Sequence, residues 1–256
     1  MSNKKKQLDS ISRLMDIMDD LREKCPWDRR QTFDTLKSLT IEETFELADA
    51  ISEKNIDEIK NELGDLLLHI IFYSKIASET KLFDISDVAE SISKKLIFRH
   101  PHVYGDLKGI DEKQVKNNWE KLKLKEGKKS ILEGVPKALP SFIKSMRIQE
   151  KVSNVGFDWV NRNDVKNKIL EELQELEEEL DSGNSKNIES EIGDLLFSVI
   201  NYGRFLGINV DNALEKTNKK FINRFLCMEN QMKNNNKNFS NISIEEMNTY
   251  WINSKK

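Results

Sequence analysis

Eight carboxylates recur in one arrangement. Glu43 and Glu46 stand three residues apart, and sixteen residues after Glu46 comes Glu62, followed by Asp65. Further along, Glu172 and Glu175 keep the same spacing, and sixteen residues after Glu175 comes Glu191, followed by Asp194. A three-residue spacing sets both acids of a pair on one face of a helix. A short turn between the pairs, Asp181-Ser-Gly-Asn-Ser185 in the second set, makes the two helices antiparallel neighbours and turns both pairs into one small space. At about 4 Å, two such charges repel by about 4 kcal/mol at an effective dielectric of 20. A divalent cation relieves this. An all-oxygen set without Cys or His selects a hard ion, Mg2+ first and Mn2+ as its substitute. A single E-x-x-E is ordinarily a solvated helix face, and Glu177, Glu178 and Glu179 are read that way. Surface patterning gives no reason for the whole pattern to occur twice.

Metal held beside open coordination positions suits phosphate chemistry, so a phosphate-binding device is expected. The backbone devices are missing. Leu122 stands where a phosphate loop ending at Gly127-Lys128-Lys129-Ser130 needs its first glycine, and there is no G-x-S-x-G elbow. The work then falls to side chains. Lys220 and Arg224 lie four residues apart and point the same way from a helix, the Arg suited to bidentate phosphate contact. Lys168 sits one turn before Glu172, on its face. Phe221 and Trp251 could each stack on a base or fill a core. A di-iron site is excluded, since none of His69, His100 and His102 follows a Glu by three residues.

The elements that carry these residues are themselves duplicated. The acids run into two nine-residue uncharged stretches, Leu66–Ser74 and Leu195–Gly203. An aromatic-Asp pair precedes each quartet, Trp27-Asp28 and Phe157-Asp158, and a basic pattern follows, Lys95…Arg99 and Lys220…Arg224. Trp119 and Trp251 close the halves. Repetition at a period near 130 residues predicts two domains, 1–120 and 136–256, with the charged, Gly-containing stretch 121–135 as linker. Ile11, Leu14, Met15, Met18 and Leu21 recur at helical spacing, as do Ile169, Leu173, Leu176 and Leu180, ahead of a stop at Gly183. Strand alternation is missing, and 10 Gly and 4 Pro in 256 residues favour long helices. The predicted class is all-α, with two bundles of four to five helices. The run Leu195–Tyr202 should be buried.

Composition removes other functions. With 41 Lys+Arg against 44 Asp+Glu the net charge is −3, so no basic surplus points to a nucleic-acid polymer. Cys25 and Cys227 are too few for a disulfide framework, which suits the cytoplasm. Nine uncharged residues are far short of the ~20 that cross a bilayer. The opening MSNKKKQLDS has no apolar stretch behind its charge and is not read as a signal peptide.

At this point the residues resemble a known family. CPWDRRQT at 25–32, EETFELADAI at 42–51, NELGDLLLHIIF at 61–72 and RHPHVYGD at 99–106 are similar to the MazG-type all-α nucleoside triphosphate pyrophosphohydrolases. So are VGFDW at 155–159, EIGDLLF at 191–197 and KKFINRF at 219–225. The resemblance implies helical domains pairing in a homodimer. It implies Mg2+-dependent hydrolysis of nucleoside triphosphates between the α and β phosphates, giving monophosphate and pyrophosphate, with clearance of the nucleotide pool as the expected role. It places metal ligands on Glu172, Glu175, Glu191 and Asp194, and nucleotide contacts on Lys168, Lys220, Phe221, Arg224 and Trp251. Glu171 is the candidate for orienting or deprotonating the attacking water. The first domain keeps Glu43, Glu46, Glu62 and Asp65 and should bind metal, but Leu39 stands where the second has Lys168. The second domain is therefore expected to be the principal catalyst. The alternative is a nucleotide-sensing dimeric scaffold with little turnover.

Overall fold

A computed structural model describes residues 2–107 and 129–255, and between them residues 109, 111, 114, 115, 118, 119 and 122. The chain divides into two compact units, Met1–Ile110 and Asp111–Lys256. The division falls ahead of the stretch read as a linker, whose residues 121 and 123–128 lie outside the described residues. Among the described residues there is no strand. The all-α class is what the helical spacing predicts.

In the first unit the helices are α1 (Ser2–Lys24), α2 (Phe33–Glu53), α3 (Ile56–Glu79), α4 (Ile85–Arg99) and the single turn α5 (Pro101–Tyr104). The second holds α6 (Ser141–Ser153), α7 (Arg162–Ser182), α8 (Ser185–Phe205), α9 (Val210–Asn234) and α10 (Ile244–Asn253). In each unit the quartet rides on a helical hairpin, α2–α3 or α7–α8. Both hairpins turn by the same device. A left-handed residue ends the first helix, Lys54 at φ 57° or Gly183 at φ 73°. An asparagine then caps the next: Asn55 accepts from the Glu58 amide, and Asn184 from the Lys186 amide. The left-handed residue ends the helix and the Asn side chain satisfies an orphan N–H, so two residues suffice to reverse the chain.

The core of the first unit is Met18, Leu36, Ile71 and Phe72, with Leu14, Met15, Leu21, Leu39 and Leu68 packed around it. Ile11, one turn further out on α1, is exposed. The second unit buries Val165, Ile200, Met228 and Met232. Gly203 lets α8 meet the start of α9, because a Cβ there would lie 2.4 Å from Val210 Cγ2.

The expectation that Leu195–Tyr202 is buried is corrected. Ser198 and Ile200 are buried, but Leu196, Phe197 and Val199 are exposed. A helix turns 100° per residue, so an uninterrupted apolar run shows both sides, and α6, α7 and α9 pack only against part of α8. On α7 the inward face is likewise shifted. Val165 and Glu172 are buried while Leu173 and Leu180 are exposed.

Candidate metal and phosphate site

The α7–α8 hairpin brings the second quartet together. Glu172, Glu191 and Asp194 offer oxygens within 4.8 Å of one another, as do Glu171, Glu172 and Glu175. Glu172 belongs to both groups and is only 4% exposed. Glu191 is half-buried; Glu171, Glu175 and Asp194 are exposed. Partial burial, together with the charges of Glu175, Asp194, Glu172 and Glu179, raises the Glu191 carboxyl above its ordinary value. Lys168 sits inside the cluster. Its Nζ lies 2.6 Å from Glu171 Oε1 and 2.6 Å from Glu172 Oε1, and these contacts push its pKa up. The pairing compensates a carboxylate that would otherwise be buried and uncompensated.

The α2–α3 hairpin assembles the first quartet in the same way. Oxygens of Glu43, Glu62 and Asp65 come within 4.8 Å of one another. Glu46 lies outside that group but adds its charge to both glutamates. Burial first, then these neighbouring acids, raise Glu43 and Glu62, and a side-chain hydrogen bond with Glu62 offsets part of the rise at Glu43. Among the described residues no cationic side chain is ion-paired with these acids. Leu39, in the place of Lys168, packs against the core. Glu62 Oε2 is buried with no hydrogen-bond partner. Four residues beyond Asp65, buried His69 leaves Nδ1 without a partner, and burial lowers its pKa. A buried, partnerless carboxylate oxygen among like charges fits a hard cation.

The phosphate and base candidates lie on α9 and α10. Lys220 is exposed and Arg224 half-buried, and among the described residues neither is hydrogen-bonded or ion-paired to the quartet. Phe221 is exposed and meets Trp251 with ring centroids 5.0 Å apart. Two rings that sequence reasoning missed extend this group. Phe225 stacks on Phe221 at 6.2 Å and on Phe239 at 5.8 Å. The four-residue step from Phe221 to Phe225 was a legible signal; the loop residue Phe239 carried none.

A further missed contact pins the loop before α7. Asp158 accepts from the two terminal guanidinium nitrogens of Arg204, one at 3.0 Å, and from the Ser153 hydroxyl at 2.6 Å. Burial alone would raise its pKa, but these donors hold it below the usual carboxylate value.

The family model of the MazG nucleotide pyrophosphohydrolase domain matches residues 31–104 and again 161–225, one match over each quartet hairpin. The chain belongs to the MazG family. It is 44% identical over 247 residues to a nucleoside triphosphate pyrophosphohydrolase/pyrophosphatase MazG of Thermotoga maritima, covering 94% of each chain. It is 37% identical over 253 residues to a nucleoside triphosphate pyrophosphohydrolase of Escherichia coli K12, covering 95% of this chain and 96% of that one. An uncharacterised Bacillus subtilis protein, YabN, is 37% identical over 236 residues, which is 91% of this chain and 48% of YabN.

Proposed function

We propose that this chain hydrolyses nucleoside triphosphates with water to nucleoside monophosphate plus pyrophosphate, using Mg2+, and that α7–α8 carries the principal site. The observation that supports this best is the second quartet with its cation: Glu172, Glu191 and Asp194 converge, and Lys168 lies among them. Bound Mg2+ would supply charge for the phosphates and make a water acidic enough to attack at neutral pH. Glu172, Glu175, Glu191 and Asp194 are the residues that would hold it, with Mn2+ as a substitute. Glu171, exposed beside them, takes the proton of the attacking water as the bond to the α phosphorus forms. The bond to the β-phosphate oxygen breaks, and Lys220 and Arg224 offset the charge that gathers on the leaving pyrophosphate. Phe221 and Trp251 offer a stacking surface for the base. No helix among the described residues is long and apolar enough to cross a membrane, in keeping with a cytoplasmic enzyme working on the nucleotide pool. The exposed Leu173, Leu180, Ile192, Leu196 and Val199 of the hairpin suit a homodimer.

Pyrophosphate release from a panel of NTPs and dNTPs, with Mg2+ and with EDTA, tests this reading. Metal-dependent monophosphate and pyrophosphate are expected. Orthophosphate as product would overturn the cleavage position, and binding without turnover would replace the enzyme with a nucleotide-sensing scaffold.

A further inference from the structure

Each half places four carboxylates on a hairpin, but only one half supplies an internal cation. In the second unit, Lys168 Nζ contacts Glu172 Oε1 and Glu171 Oε1 at 2.6 Å each. Glu172 is the buried member of its quartet and is shared by both oxygen groups that could hold an ion. A divalent ion brought to this carboxylate meets the positive charge of the ammonium already on it, so the two compete. In the first unit the corresponding position is Leu39, which packs against the core. No ion pair reaches Glu43, Glu46, Glu62 or Asp65 among the described residues, and Glu62 Oε2 is buried and partnerless.

We infer that Lys168 is a resident counter-ion that competes with the metal for Glu172 and is handed to the triphosphate when metal binds, whereas the Leu39 half binds the metal unopposed. This rests on the proposed metal-dependent reading of the two quartets. The Lys168 ammonium has two alternative partners, the carboxylates of Glu171 and Glu172 or the phosphates. Its stem begins one helical turn from Glu172, so the exchange needs only rotation about side-chain bonds. Metal and nucleotide then assist each other at the second site. Metal on Glu172 releases the ammonium for phosphate, and phosphate on the ammonium vacates Glu172, in equal measure by linkage. The first site has no such coupling, and it loads with metal whether or not nucleotide is present. The two halves thus differ in order of binding as well as in strength.

The test is Mn2+ titration of the full chain without nucleotide, read by the electron paramagnetic resonance of free Mn2+. Two classes of site are expected. The tighter is removed by Glu62→Gln and the weaker by Glu191→Gln. Lys168→Met keeps most of the stem and removes the charge, and it should tighten the weaker class at least about tenfold, the water-screened effect of one unit charge about 5 Å from a divalent ion. Lys168→Arg should leave that class weak. Leu39→Lys should loosen the tighter class by a similar factor, and it tests the same idea in the other unit if Lys168→Met does not fold. An α,β-methylene nucleoside triphosphate should tighten Mn2+ binding at the second site more in the wild type than in Lys168→Met. Mn2+ affinity that is unchanged or lower in Lys168→Met overturns the exchange. Pyrophosphate release by the wild type separates the two ideas. Release without the Mn2+ effect sinks only the exchange, and the Mn2+ effect without release sinks only the hydrolase.

Discussion

Glu62 and Glu191 hold the same place in the two halves, yet they face different surroundings. Around Glu191 the acids gather beside Lys168, so buried Glu172 has a cation at 2.6 Å. Around Glu62 the residue matching Lys168 is Leu39, which packs against the core, and one buried oxygen has no partner. The hairpins that carry them are near copies, each ended by a left-handed residue and restarted by an asparagine cap. The acid cluster therefore follows from the hairpin, while its charge balance is set by one residue four positions before its first acid. The same fold can thus present a quartet paired with a lysine and a quartet with no paired cation among the described residues.

The largest expected effect breaks the comparison if the halves are in truth equivalent. Glu172→Ala should lower pyrophosphate release more than about 100-fold, because loss of a ligand exceeds the 10–100-fold usual for its outer-shell partners. Glu43→Ala should cost no more than about threefold. Equal losses from the two variants would show that both quartets turn over substrate. Next in size is Arg224→Ala, expected at about 10–100-fold on kcat/KM from the worth of a charged hydrogen bond to phosphate. Arg224→Lys should recover only part of this, because a point charge cannot make the bidentate contact. Full activity in Arg224→Ala would remove α9 from the phosphate site.

Much of this contrast is legible along the chain, for a physical reason. Helix period and acid spacing are local, so Glu43 to Asp65 and Glu172 to Asp194 announce a paired cluster, and Gly183 announces the turn between α7 and α8. The place of Lys168 on the face of Glu172 is equally local, but its contact with the carboxylates rather than with a phosphate is not. Long-range features stay hidden. Arg204 lies 46 residues from Asp158 and Phe239 far from Phe225, and only packing brings each pair together. The apolar run after Asp194 misleads, since Leu196 and Val199 face outward on a helix whose neighbours cover only part of it. Burial depends on what lies opposite, which no single segment encodes.

Metal removal sharpens the comparison at a smaller scale. A ligand at 100 times its Kd stabilises the folded state by about 2.7 kcal/mol. Millimolar Mg2+ without nucleotide should raise the unfolding temperature of the first unit, whose quartet has no ion-paired cation among the described residues, more than that of the second. EDTA should reverse the shift, and Glu62→Gln should abolish it. A thermal scan of the full chain in which Glu191→Gln rather than Glu62→Gln removes the Mg2+ shift would invert the assignment.

The smallest effect concerns how each half pins the loop before its quartet. In the second, Asp158 uses its carboxylate, taking Arg204 from α8 and Ser153 from α6. In the first, the corresponding Asp28 gives its backbone carbonyl to Arg22 of α1, while that arginine also donates to the Gln31 carbonyl at 3.2 Å and to Glu79 at 2.8 Å and 2.5 Å. Asp158→Asn should therefore cost about 1–3 kcal/mol, the worth of charged hydrogen bonds in a partly buried place. Asp28→Asn should cost less, because the carbonyl survives the change. The pH dependence carries a definite sign. Asp158 has its folded pKa depressed, so its contribution is complete above the unfolded carboxylate value near 3.9 and is lost as pH falls through the folded value. Urea unfolding of wild type and Asp158→Asn should differ at pH 7 and converge toward pH 3. A gap that persists undiminished at pH 3 would mean that Asp158 holds the loop by shape and neutral hydrogen bonds, and the charge of Arg204 would then have no part in pinning it.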